Sequence, residues 1–177
     1  RRTLWLFPIM LSAAVMLLVS SCATLSPNGV GRVKDYTIES SQLPEQFDGY
    51  TIAFVSDLHY PSKFTEKRLR KLVAAMQALS PDVLMLGGDY VTDNDSIGNL
   101  FVALSSLAPK DGIYAVLGNH ERRNKELIKE TMAAEGIVLL ADTVVPVVRG
   151  GDTIFIAGVY DSFKYDSLAV QPSETVP

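Results

Sequence analysis

Residues 84 to 91 read Leu84-Met85-Leu86-Gly87-Gly88-Asp89-Tyr90-Val91, and this stretch decides how the chain folds. Residues 82–86 are a short apolar run between Pro81 and a glycine pair, the pattern of a strand covered on both faces. Asp89 stands just beyond its end. Ligands in open α/β sheets bind past the carboxyl ends of the strands, and Gly87 and Gly88 let backbone and ligand approach closely there. Gly-Asp is also a common turn, so this stretch alone supports a plain turn as well as a site.

Two more strands end in the same way. Residues 51–55 run into Ser56-Asp57-Leu58-His59, and residues 113–117 run into Gly118-Asn119-His120-Glu121. Three strand exits thus deliver Asp57, His59, Asp89, Asn119 and His120. These are oxygen and nitrogen donors of intermediate hardness, suited to Zn, Mn or Fe. Asp57 and His59 are two apart, so in an extended segment both side chains point to one side and can chelate. The chain has two histidines in all, and both sit at these exits.

With these residues in view the chain resembles the calcineurin-like metallophosphoesterases. Asp57-Leu58-His59 is similar to that family's Asp-x-His motif, Gly88-Asp89 to the opening of its Gly-Asp-x-x-Asp motif, and Gly118-Asn119-His120-Glu121 to its Gly-Asn-His-Asp/Glu motif. The order and separation agree over residues 35–161. Each motif is short and weakly specific; the ordered set, each following an apolar strand, is far more so.

The rest of the chain supplies the frame. Residues 33–40 alternate loosely and read as a first, edge strand. Residues 64–80 place Leu69, Leu72, Val73, Met76 and Leu79 on one helical face, and residues 97–107 repeat Ile97, Leu100, Phe101, Leu104 and Leu107 at the same spacing, with Asp95 or Ser96 as N-cap. Residues 124–135 read as a third helix closed by Gly136, with Leu127, Ile128 and Met132 inward. Residues 137–140, 143–148 and 153–159 read as strands, the last two joined by the hairpin signal Arg149-Gly150-Gly151-Asp152. Strands alternating with helices imply an α/β layered domain with a largely parallel sheet. The resemblance sharpens this to a layered β-sandwich flanked by helices, with the metal loops on one rim.

At 177 residues, 47% hydrophobic and 20% charged, the chain holds one ordinary domain plus a leader. A net charge of -4 with a pI near 5.1 gives no sign of a nucleic-acid-binding surface. A single cysteine excludes an internal disulfide and a Cys-rich metal site. That cysteine, Cys22, ends a segment made of Arg1-Arg2, an apolar stretch over residues 4–19 and Ser20-Ser21. These are the parts of a secretory signal, and Val19-Ser20-Ser21-Cys22 resembles a bacterial lipoprotein box whose Cys carries lipid. An uncleaved membrane anchor over residues 4–25 is the competing reading. Both tether the chain to a membrane and place the domain outside the cytoplasm, in a bacterial envelope. Residues 1–22 are thus a signal or anchor, 23–32 a linker, and 33–177 the N-terminal portion of the phosphoesterase domain.

Phosphoester hydrolysis needs charge neutralisation and a hydroxide near neutral pH, which two metal ions about 3.5–4 Å apart supply. By the resemblance Asp57 and His59 hold one divalent ion, Asp89 bridges, Asn119 holds the second, and His120 protonates or stabilises the leaving oxygen while bridging hydroxide attacks phosphorus. Two departures stand out. Thr92 occupies the position of the second motif's later Asp, leaving Asp93, Asp95 or Glu121 to orient His120; Glu121 also fits a plain acidic residue near a helix N-terminus. No histidine follows His120, whereas relatives carry further ones. The sequence therefore reads as lacking the C-terminal part of the fold and as poorly active alone. The expectation is a phosphomonoester or phosphodiester hydrolase with no evident protein partner. The alternative is a non-catalytic binding or scaffold protein with half a metal site.

Overall fold

A computed structural model describes residues 29–31 and 33–159. The leader, Cys22, most of the expected linker and the residues from 160 onward lie outside the described residues. The chain divides into two units, Arg1–Ile38 and Glu39–Pro177. In the first, residues 33–38 are exposed and without regular structure, and residues 39 and 40 of the second are likewise irregular. The strand expected over 33–40 does not form. Its alternation is interrupted by Lys34, Asp35 and Glu39, so it offers no apolar face worth burying.

The second unit runs in the order strand, helix, strand, helix, strand, helix, strand, then a hairpin. The elements are β1 (Ile52–Val55), α1 (Glu66–Leu79), β2 (Val83–Leu86), α2 (Ile97–Ser105), β3 (Ile113–Ala115), α3 (Lys125–Ala134), β4 (Val138–Leu139), β5 (Thr143–Arg149) and β6 (Asp152–Gly158). Strands β1 to β4 form one sheet in that order, parallel throughout. β5 and β6 pair antiparallel, from Thr143 opposite Gly158 to Arg149 opposite Asp152.

Register explains the layers. Ala53 pairs with Leu84 and Leu84 with Ile113, so these side chains share one face of the sheet. That face is buried, and Leu69, Leu72, Leu100, Phe101, Leu104, Ile128 and Met132 of the three helices are buried with it. Each such side chain contributes about 1.5–3 kcal/mol by leaving water. On the opposite face Val83 packs with Phe47, Leu140, Val147 and Ile156, so the hairpin forms a second β layer. Two β layers with helices on one side make the expected layered architecture.

Local chemistry ends each helix where the next strand must begin. Ser80 adopts a left-handed φ of 47° after α1, and Pro81 forbids continuation. After α3, Gly136 at φ 69° lets the Ile137 N–H reach the Met132 carbonyl at 2.8 Å and its own N–H reach Ala133 at 3.2 Å, the paired bonds of a Schellman motif. Asp93 accepts the Ser96 N–H at 2.9 Å and so caps the entry to α2. Ser96, one of the two expected N-cap residues, does occupy the N-cap position, without a capping bond from its own side chain.

At the amino-terminal end of the sheet Arg149 spans Asp82 at 2.7 Å and Asp111 at 2.8 Å, with its guanidinium 4.6 Å from the Tyr50 ring centroid. Asp82 also accepts the Thr51 N–H at 2.8 Å. This ties the hairpin and three strand connections together at the edge opposite the candidate site.

Candidate metal centre

The carboxyl ends of β1, β2 and β3 lie side by side because the strands are parallel and adjacent. Their exit loops remain bonded past the ladder. The Asp57 N–H donates to Gly88 at 3.0 Å, His59 to Asp89 at 3.0 Å, Tyr60 to Tyr90 at 2.9 Å and Thr92 to Tyr60 at 2.7 Å. Asp57, His59 and Asp89 all have positive φ, at 56°, 46° and 56°. Left-handed backbone in a non-glycine residue costs about 1–2 kcal/mol, and such strain gathers at functional sites. The extended segment expected at Asp57 and His59 is therefore replaced by a turned one. Asp57 is exposed, and its carboxylate accepts the Ser56 hydroxyl at 2.6 Å.

His59, Asp89 and His120 come together, each offering one donor atom within 4.8 Å of the others. His59 Nε2 lies 3.8 Å from Asp89 Oδ2, and the two imidazoles meet edge to face with centroids 4.6 Å apart. A distance of 3.8 Å exceeds a hydrogen bond. It is close to the separation of two donors on one ion, about 3–4 Å given metal–ligand bonds near 2 Å. Two imidazoles and a carboxylate fit a divalent ion of intermediate hardness. Asp57 stays outside this trio, and His120, expected to serve only the substrate, falls within it. Asn119 and His120 are exposed on the 3-10 turn Asn119–Arg123 that follows β3.

Glu121 sets the spacing of these loops. It is 1% exposed, and its carboxylate accepts the N–H of Gly118 at 2.7 Å, Asp89 at 2.9 Å and Tyr90 at 2.8 Å. Three donors satisfy a carboxylate that would otherwise be costly to bury. The Asp89 carboxylate in turn accepts the His120 N–H at 3.2 Å. Gly88, at φ 94°, faces Gly118 so closely that a Cβ on it would lie 2.5 Å from the Gly118 nitrogen. Asp93 is engaged at the α2 cap, and Glu121 with backbone amides.

Tyr90 is buried in the core, and its polar end has a partner there. The buried hydroxyl lies 2.5 Å from the Val116 carbonyl and 3.0 Å from that of Leu86, joining the ends of β3 and β2. Burial, with the charge of Glu121 adding to it, pushes the phenol far above its usual range. Tyr60, on the β1 loop, donates to Glu66 at 2.5 Å; that bond first, and burial second, raises it to about 12.

The sequence pattern of the calcineurin-like phosphoesterases matches residues 50–171. The chain belongs to the calcineurin-like phosphoesterase family. Among individual members it is 36% identical over 91 residues to an uncharacterized metallophosphoesterase of Aquifex aeolicus, covering 51% of this chain and 34% of that protein. It is 33% identical over 97 residues to the phosphodiesterase YaeI of Escherichia coli, covering 51% and 36%. It is 34% identical over 85 residues to the UDP-2,3-diacylglucosamine pyrophosphatase LpxG of Chlamydia muridarum, covering 45% and 26%. The matched regions are thus at most about a third of these phosphoesterases' length. Among the described residues no helix is long and apolar enough to cross a membrane.

Proposed function

We propose that the protein is a metal-dependent phosphoesterase hydrolysing a phosphomonoester or phosphodiester. The observation that carries this reading is the convergence of His59, Asp89 and His120 from three separate strand exits. Divalent ions, when bound, supply Lewis-acid charge neutralisation and acidify water. Asp89 and the buried His59 would hold them, with Asp57 and Asn119 completing the set on rearrangement of their exposed loops. His120, exposed at the rim, would protonate or stabilise the leaving oxygen. Asp93 and Glu121 would support the site by fixing the loops, one through the α2 entry and the other through backbone amides. Two divalent ions drawn from Mn, Fe or Zn would suit these oxygen and nitrogen donors.

The leader reading places this activity at a membrane, outside the cytoplasm, with Cys22 as lipid carrier or with the apolar stretch as anchor. Release of the protein from membranes on Cys22→Ala supports the lipid; retention supports the anchor. On this reading residues 33–177 are the N-terminal portion of the catalytic domain.

The test is cleavage of bis(p-nitrophenyl) phosphate by the full-length protein with Mn²⁺. Asp89→Asn is expected to lower turnover at least a hundredfold, and His120→Ala to lower it while metal content is retained. Loss of metal in His120→Ala would make that imidazole a ligand. Absence of any cleavage by the metal-loaded protein would overturn the enzyme reading and leave a non-catalytic binding role.

A further inference from the structure

The 3-10 turn that carries His120 has an unused face. Side chains three apart eclipse one another on a 3-10 helix, and burial along this turn obeys that period. Glu121 is buried and Asn124 half-buried, whereas Asn119, His120, Arg122 and Arg123 are exposed. Arg123 therefore shares its face with His120, about 6 Å further along the turn at about 2 Å per residue. Its guanidinium takes part in none of the ion pairs, side-chain hydrogen bonds or cation–π contacts found among the described residues. Two cations that do pair with a carboxylate are differently placed. Arg70 pairs with Glu66 at 2.9 Å on α1, and Lys129 with Glu126 at 3.4 Å on α3.

A free guanidinium on the face of the leaving-group histidine has a specific chemical use. Its planar fork of donors matches phosphate oxygens in bidentate fashion, and held beside the reacting centre it engages an anionic group that is not itself cleaved. We infer that Arg123 is a specificity-determining residue that binds a second phosphate group adjacent to the scissile one, so that the preferred substrates are diphosphate-bearing. This rests on the phosphoesterase reading above. Fixing the turn through Glu121 matters here too, because the same clamp that places His120 holds Arg123 at a constant offset from it. A charge-assisted hydrogen bond contributes more than a neutral one, and a tenfold affinity change is the expected scale.

The experiment measures binding of UMP and UDP to the full-length protein at fixed free Mn²⁺. The wild type is expected to bind UDP more tightly than UMP. Arg123→Ala should weaken UDP about tenfold while leaving UMP within twofold, and Arg123→Lys should restore part of the loss. Lys110→Ala, which removes the same charge beyond the opposite end of the sheet, should change neither. Equal weakening of both nucleotides by Arg123→Ala, no weakening of either, or equal wild-type affinity for the two would overturn the inference. Because binding is read without turnover, discrimination that persists in a protein unable to cleave bis(p-nitrophenyl) phosphate would sink the enzyme reading and leave the Arg123 subsite standing.

Discussion

The Glu121 carboxylate accepts the backbone N–H of Asp89 at 2.9 Å, which makes a buried acid on the β3 exit the element that positions the central carboxylate of the β2 exit. The same side chain also holds Tyr90 and Gly118, so one residue spans both loops.

Removing that carboxylate leaves several amides without partners. Glu121→Ala is expected to destabilise the protein by about 3–4 kcal/mol, since each unsatisfied buried donor costs about 1–3 kcal/mol. Glu121→Gln, which keeps the shape but turns an NH₂ toward an N–H, should cost about 2 kcal/mol. Urea denaturation of the metal-free protein measures both, and values below 0.5 kcal/mol would remove the clamp.

Close approach of the two loops depends on Gly88. A Cβ there would meet the Gly118 backbone at 2.5 Å, and the φ of 94° is itself unfavourable to any side chain. Gly88→Ala should therefore displace the Asp89 carboxylate from His59 and reduce Mn²⁺ affinity tenfold or more, read by calorimetry. Gly118→Ala should act similarly, because its Cβ would strike the Asp89 carboxylate.

Metal should stabilise the folded state through His59 and Asp89, whose donor atoms lie 3.8 Å apart. At a hundredfold excess over its dissociation constant a ligand adds about 2.7 kcal/mol. Saturating Mn²⁺ or Zn²⁺ is expected to raise the melting midpoint by several degrees, and chelator to reverse this. Asp89→Asn should abolish the shift; an undiminished shift in that variant would place the ion elsewhere.

At the opposite edge, the Thr51 N–H first and the Arg149 guanidinium second hold the Asp82 carboxyl below its ordinary range. The unfolded chain then binds the proton at higher pH than the folded one. Its contribution to stability is complete above the ordinary carboxylate value, about 4, and is lost as pH falls through the lower folded value. Asp82→Asn should lower stability at pH 7 and flatten its decline below pH 4. An unchanged acid limb in denaturation curves would contradict this.

Much of the fold was legible in short-range patterns. The runs around residues 51–55, 82–86 and 113–117 are apolar and bounded, and Leu69, Leu72, Leu100 and Leu104 repeat at helical spacing, so strands, helices and their order followed from local periodicity. The apparent strand at residues 33–40 failed because alternation is necessary for a half-buried strand but does not provide a partner. Arg149 read as a hairpin residue, since nothing local ties it to Asp82, 67 positions away. For Arg123 a signal was available, its three-residue offset from His120, but only within a 3-10 turn that the sequence did not announce.

The sequence by itself determined the family, the succession of strands and helices, and the set of donor residues at the strand exits. These depend on residue type and on spacings of a few positions. The tertiary structure alone decided which donors meet. That outcome depends on left-handed backbone at Asp57, His59 and Asp89, and on Glu121 bonding to amides 31 and 32 residues away. An extended Asp57–His59 segment would have presented both side chains together. The turned one keeps His59 buried beside Asp89 and leaves Asp57 in solvent.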